Sequence, residues 1–211
     1  MSSRFRKRWL GPPSFYKKVL VISVPLALQQ LLNSAMGITD SIMVSWIGQV
    51  SAVGTAAQLE NLMMTVGFGV ASGAGIFMSQ FFGRHDLAGE RKAFGLGLIL
   101  SLINALVWMM AARLLGRQIM GFYIQDPAVI ESALQYLNIA MISYLPGALI
   151  TMFSFAYRCI QKTHVPMLIG LCSMVVNVVL NYCLIFGHFG FPPLGVRGAA
   201  LGTLCAQCTG L

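Results

Sequence analysis

Apolar residues run almost unbroken from Val19 to Gly48, in VLVISVPLALQQLLNSAMGITDSIMVSWIG, and the one ionisable side chain there is Asp40. About 20 consecutive apolar residues cross a hydrocarbon layer of about 30 Å as a helix. Runs of that length fall at 19–47, 56–82, 93–115, 132–156 and 166–188, and predict five membrane-spanning helices. A sixth run opens near Gly198 and reaches Leu211. It would rise only about 21 Å at ~1.5 Å per residue, so the pattern predicts that the chain stops inside a sixth helix.

The connections are short and carry turn residues: FFGRHDLAGERK, RCIQKTHVP and GHFGFPPLGVRG. Asp126 followed by Pro127 reads as an N-cap with proline at the first helical position, which starts the fourth helix. The reading is an all-α membrane protein with a basic N-terminus at 1–18 and a transmembrane bundle at 19–211.

Composition agrees with this. The 211 residues are 57% apolar and 9% charged, against roughly 25% charge in a soluble domain, and the mean hydropathy is +0.76. The net charge of +8 does not point to nucleic acid, because the cations sit between apolar runs and not beside exposed aromatics. Eleven Lys and Arg fall in the segments 1–18, 84–92 and 158–162, whereas Arg113, Arg117 and Arg197 fall on the other side. That bias predicts a cytoplasmic N-terminus in the inner membrane and outward connections after the first, third and fifth helices. Cys159, Cys172, Cys183, Cys205 and Cys208 read as small buried hydrophobes. His85, His164 and His188 lie at loops or helix ends and form no ligand-spaced pair.

Asp40 lies about 10 Å inside the outer end of the first helix. A carboxylate at that depth needs a proton or a cation. Gln29, Asn33, Met36 and Asp40 follow helical spacing, which puts them on one face that should turn towards other helices or a water-filled cavity. Asn177 and Asn181 share a face of the fifth helix, and Asn181 comes to the same depth as Asp40. Thr203 and Gln207 bring polar groups to a similar depth on the sixth. Each such group also suits an ordinary interhelical hydrogen bond of about 1 kcal/mol. Glu60 reads as a solvated acid at the outer mouth of the second helix rather than as a substrate contact. The cleft candidates are Glu60, Gln29, Asn33 and Met36.

The segment from Asn177 to Thr203, NVVLNYCLIFGHFGFPPLGVRGAALGT, resembles the multidrug and toxic compound extrusion (MATE) antiporters. It carries Asn177-x3-Asn181, Leu184-Ile185-Phe186-Gly187, Pro192-x-Leu194-Gly195-Val196 and Gly198-Ala199-Ala200-x2-Thr203. Pro25, Thr39-Asp40 with Met43-Val44 and Gly48, Gln80-Phe81-Phe82-Gly83, Asp126-Pro127 and Arg158-x2-Gln161-x-Thr163 fit the same pattern in order. The resemblance implies the N-lobe of two six-helix bundles related by a pseudo-two-fold axis. It implies a cation site at Asp40, Asn177 and Thr203. Asn181 stands where some relatives have an aspartate, which leaves H⁺ and Na⁺ both open. The implied activity is export of small organic, often cationic, compounds in exchange for H⁺ or Na⁺. No other cofactor is expected, and no metal beyond Na⁺ at Asp40. The implied partners are the bilayer and a C-lobe on the same full-length chain, of which this would be a fragment.

Three other readings stand beside this one. A flippase for lipid-linked precursors would line its cavity with several cations, and no helix interior here supplies them. An intramembrane enzyme would need a nucleophile with its base, a metal cluster or two adjacent carboxylates. A non-transporting membrane fragment is the third.

Overall fold

The computed structural model describes residues 12–211. The basic residues Arg4, Arg6, Lys7 and Arg8 of the expected N-terminal segment lie outside the described residues. The described chain consists of helices joined by short connections. They are α1 (Pro13–Trp46), α2 (Val50–Gly83), α3 (Leu87–Tyr123), α4 (Pro127–Ala140), α5 (Tyr144–Cys159), α6 (His164–Phe186) and α7 (Val196–Thr209). Five spans, counting α4 to α5 as one, are long and apolar enough to cross a membrane. Many large apolar side chains point outward, among them Leu20, Leu100, Val107 and Leu114. In water they would be a liability; against lipid tails they are matched.

The helices are longer than the apolar runs predicted. α1 starts at Pro13, not at residue 19, so Lys17 and Lys18 lie on its first turns instead of in an extended basic segment. Proline at the first helical position is pre-set for helix entry. α3 likewise reaches Leu87 and Tyr123, beyond the expected 93–115. Apolar length measures the hydrocarbon crossing, whereas Glu90, Arg91, Lys92, Arg117 and Gln118 are good helix formers that extend the helix beyond it. Asp86 caps α3 by accepting from Gly89 N at 3.0 Å. Asp126 caps α4 by accepting from Ala128 N at 2.9 Å, with Pro127 behind it, as its sequence context implies.

The fourth span is not one α-helix. A 3₁₀ turn at Met141–Ser143 separates α4 from α5. Pro146 explains the break. It has no N–H to return to the carbonyl of Ile142, and its ring crowds that carbonyl, so the backbone tightens just before it. Ser143 takes up one freed acceptor by donating to Ala140 O at 2.6 Å.

The bundle has two halves. In one, α6 packs against both α1 and α7; in the other, α2, α3 and α5 pack together. α4 touches α2, α3 and α7 and so joins them. One core cluster crosses this junction and includes Met43, Val44, Leu59, Tyr136, Tyr144 and Ala200. Cys183 is buried and Cys159 half-buried, but Cys172, Cys205 and Cys208 are exposed on the bundle surface, against the expectation of burial for all five. A thiol is apolar enough to face lipid as readily as core.

Candidate functional site

The connections at Ile47–Gln49, Ile124–Asp126 and Gly187–Gly195 lie at one end of the bundle, here the Gly48 end. Asp40 is six residues before Trp46, so about 9 Å along α1 from that end. Asn181 is five residues before the end of α6, about 8 Å in. The two meet: Asn181 Nδ2 donates to Asp40 Oδ1 at 2.6 Å. The same amide nitrogen donates to Asn177 Oδ1 at 3.2 Å. Both asparagines are fully buried. A donor on an ionised carboxylate makes a stronger bond than one between neutral groups.

The close approach of α7 shapes this corner. Gly187 ends α6 in the left-handed region at φ 75°, and the chain returns through the loop to α7. Gly198 and Gly202 then press α7 onto α6. A Cβ at Gly198 would lie 2.6 Å from the carbonyl of Leu184, and one at Gly202 would overlap Asn181 Oδ1. Small residues one turn apart allow such backbone contact inside a membrane. Next to Gly202, the buried Thr203 donates to Ala199 O at 3.1 Å.

Glu60 corrects the reading of a solvated interfacial acid. It is half-buried, ten residues into α2. Ala52, Ala56, Leu59 and Met63 form the buried face of α2 around it. The signal was legible: Glu60 follows Ala52 and Ala56 at one-turn steps, so it shares their inward face. Tyr136 and Tyr144 were missed altogether. Ala133, Tyr136, Ala140 and Tyr144 repeat at helical spacing and all are buried. That mixture of small residues and tyrosines was the available clue.

The remaining cleft candidates do not assemble with Asp40. Gln29 is buried but accepts from Arg158 Nη2 of α5 at 2.9 Å. It sits eleven residues from Asp40, about 16 Å along α1. Arg158 also lies over the Phe155 ring, 4.9 Å from its centroid. Met36 is half-buried, and Asn33 is exposed. The predicted face therefore divides: one end binds α5, the other α6, and Asn33 between them faces outward.

Among the described residues, Tyr144 Oη, Asn177 Nδ2 and Asn181 Oδ1 are buried polar atoms without a partner. An unmade hydrogen bond at a buried group costs roughly 1–3 kcal/mol. The site joins one carboxylate and two amides, and oxygen donors of this kind suit a proton or a hard cation. Among the described residues no cluster of three or more His, Cys, Asp or Glu could hold a metal ion.

These features define a multi-pass membrane protein with a polar, carboxylate-bearing junction inside its helix bundle. The MatE family profile matches residues 25–183, and the chain belongs to that family. It is 31% identical over 198 residues to the probable multidrug resistance protein NorM of Rhizobium meliloti (strain 1021), covering 91% of this chain and 41% of the relative. It is 29% identical to the multidrug resistance protein MdtK of Klebsiella pneumoniae (strain 342), covering 89% of this chain and 41% of that one. The chain thus spans about two fifths of the length of these curated relatives. Its fold matches an outward-facing multidrug resistance MATE family transporter of the MOP superfamily, with a TM-score of 0.83 at 20% identity over 92% of this chain and 43% of the other. The Vibrio cholerae MATE transporter VcmN in its bent form gives a TM-score of 0.81 at 21% identity, over 93% and 44%.

Proposed function

We propose that this chain is the cation-binding lobe of an exporter in the cytoplasmic membrane, with its N-terminus inside. The exporter moves small organic, often cationic, compounds outward in exchange for H⁺ or Na⁺. The observation that carries the reading is the 2.6 Å bond from Asn181 Nδ2 to Asp40 Oδ1 inside a MATE-type bundle. Multidrug resistance relatives support the substrate class.

The geometry suits coupling. α1 packs chiefly on α6 and only lightly on α2 and α7. A proton or cation arriving at Asp40 neutralises the acceptor that Asn181 holds and competes for its lone pairs. The α1–α6 contact is therefore what loading of the site would alter. The ion drives the change by as much as it binds one packing better than the other.

The test is Asp40→Asn in the full-length protein, with export measured in proteoliposomes under imposed pH and Na⁺ gradients. Asparagine keeps the shape but cannot release a proton, so ion-driven export is lost while membrane insertion stays at the wild-type level. Ion-dependent export at the wild-type rate would overturn the proposal.

A further inference from the structure

We propose that a cavity between α2, α3 and α5, at the His85 end of the bundle, holds a phospholipid with a primary-ammonium headgroup, of the phosphatidylethanolamine type. The site is separate from the Asp40 corner and depends on no ion bound there.

The cavity measures about 320 Å³, and its lining includes Met78 of α2, Glu90, Arg91 and Phe94 of α3, and Phe153 and Ala156 of α5. That lining changes with depth. Met78, Phe94, Phe153 and Ala156 fall inside the apolar runs that measure the hydrocarbon crossing, whereas Glu90 and Arg91 fall just before the run of α3. One end of the cavity is therefore level with acyl chains and the other with headgroups. The packing beneath it is thin. Ala71, Met78 and Met152 form a small core cluster, with Phe94 and Ala156 against it. The Phe94 and Phe153 rings meet at 5.4 Å between centroids, and Phe153 is exposed on the outer surface. An acyl chain laid along these rings extends that cluster outward.

Charge selects the headgroup. Glu90 and Arg91 are consecutive, so one rim offers a carboxylate beside a guanidinium. Among the described residues no hydrogen bond or ion pair holds either side chain. A phosphodiester joined by a short linker to an ammonium presents the complementary pair of charges. The guanidinium fork suits phosphate oxygens, and the carboxylate accepts from the ammonium N–H groups. A quaternary ammonium has no N–H to donate, an acidic headgroup lacks the cation, and a simple organic cation leaves Arg91 unmatched. Arg84 and Lys92 nearby are exposed and draw any lipid phosphate, so Glu90 is what distinguishes one headgroup from another. A second cavity of about 180 Å³, which shares Leu87 and Glu90, gives the headgroup room beside His85.

The experiment is native mass spectrometry of the full-length protein in detergent, titrated with phosphatidylethanolamine, phosphatidylglycerol or phosphatidylcholine of the same acyl chains. Phosphatidylethanolamine should be retained several-fold better than the other two and should raise the unfolding temperature most. Glu90→Gln should abolish that preference while leaving phosphatidylglycerol retention unchanged. Arg91→Gln should weaken retention of all three, because each carries a phosphate. The comparison between lipids is made within each variant, so a general loss of stability does not imitate the result. Equal retention of the three lipids by the unaltered protein, or an intact preference in Glu90→Gln, would overturn the proposal. So would Glu90-dependent retention of tetraphenylphosphonium without any ethanolamine preference, which would make the cavity a site for organic cations instead.

Discussion

Asn181 donates its amide to the Asp40 carboxylate across 141 residues of sequence, at 2.6 Å, and this bond ties α1 to α6 near the Gly48 end. The same nitrogen holds Asn177 Oδ1, so one amide orders both polar side chains. Asn181→Leu removes both bonds and leaves a half-buried carboxylate without its donor. Ion-coupled export should fall more than tenfold, while expression changes far less, since leucine fits a bundle. Export per mole of inserted protein checks this; a proportional loss of both would reduce Asn181 to a packing residue.

Gly198 and Gly202 set how closely α7 lies on α6. Gly198→Ala drives a methyl into the Leu184 carbonyl, and overpacking of this kind costs about 1–3 kcal/mol. Gly202→Ala displaces the Asn181 amide and should impair export as well as stability. Gly37→Ala, whose Cβ meets nothing within 4 Å, should be neutral or stabilising by up to about 1 kcal/mol. Thermal unfolding in detergent should rank the three with Gly37→Ala highest.

Arg158 and Gln29 join α5 to α1 at 2.9 Å. Arg158→Lys retains charge but loses the planar guanidinium that lies over Phe155. A double-mutant cycle of Gln29→Ala with Arg158→Ala should return a coupling of about 1 kcal/mol in unfolding free energy. Additive losses would show that the contact does not stabilise the bundle.

The eleven-to-three bias of Lys and Arg predicts which connections face outward. In a cysteine-free background, Gln49→Cys, Gln118→Cys and Phe191→Cys should react with an impermeant maleimide added to intact cells. His85→Cys and Lys162→Cys should react only after permeabilisation. Reaction of His85→Cys from outside would invert the assignment.

The sequence alone determined what depends on runs and periods. Apolar length gave the five crossings, because a helix in lipid needs a fixed number of apolar residues. The lone acid at residue 40 and the one-turn step from Asn177 to Asn181 marked where polarity gathers. The cap at Asp126-Pro127 is local chemistry, and it forms as its residues imply. Tertiary structure decided the partners. Asn181, not Asn177, reaches Asp40; Gln29 goes to Arg158; Glu60 is half-buried on α2. In water an apolar stripe marks a helix's buried face, but lipid is as apolar as the core, so the stripe disappears. Only small and polar residues still mark the inward face, and which helix they meet depends on contacts between residues more than a hundred positions apart.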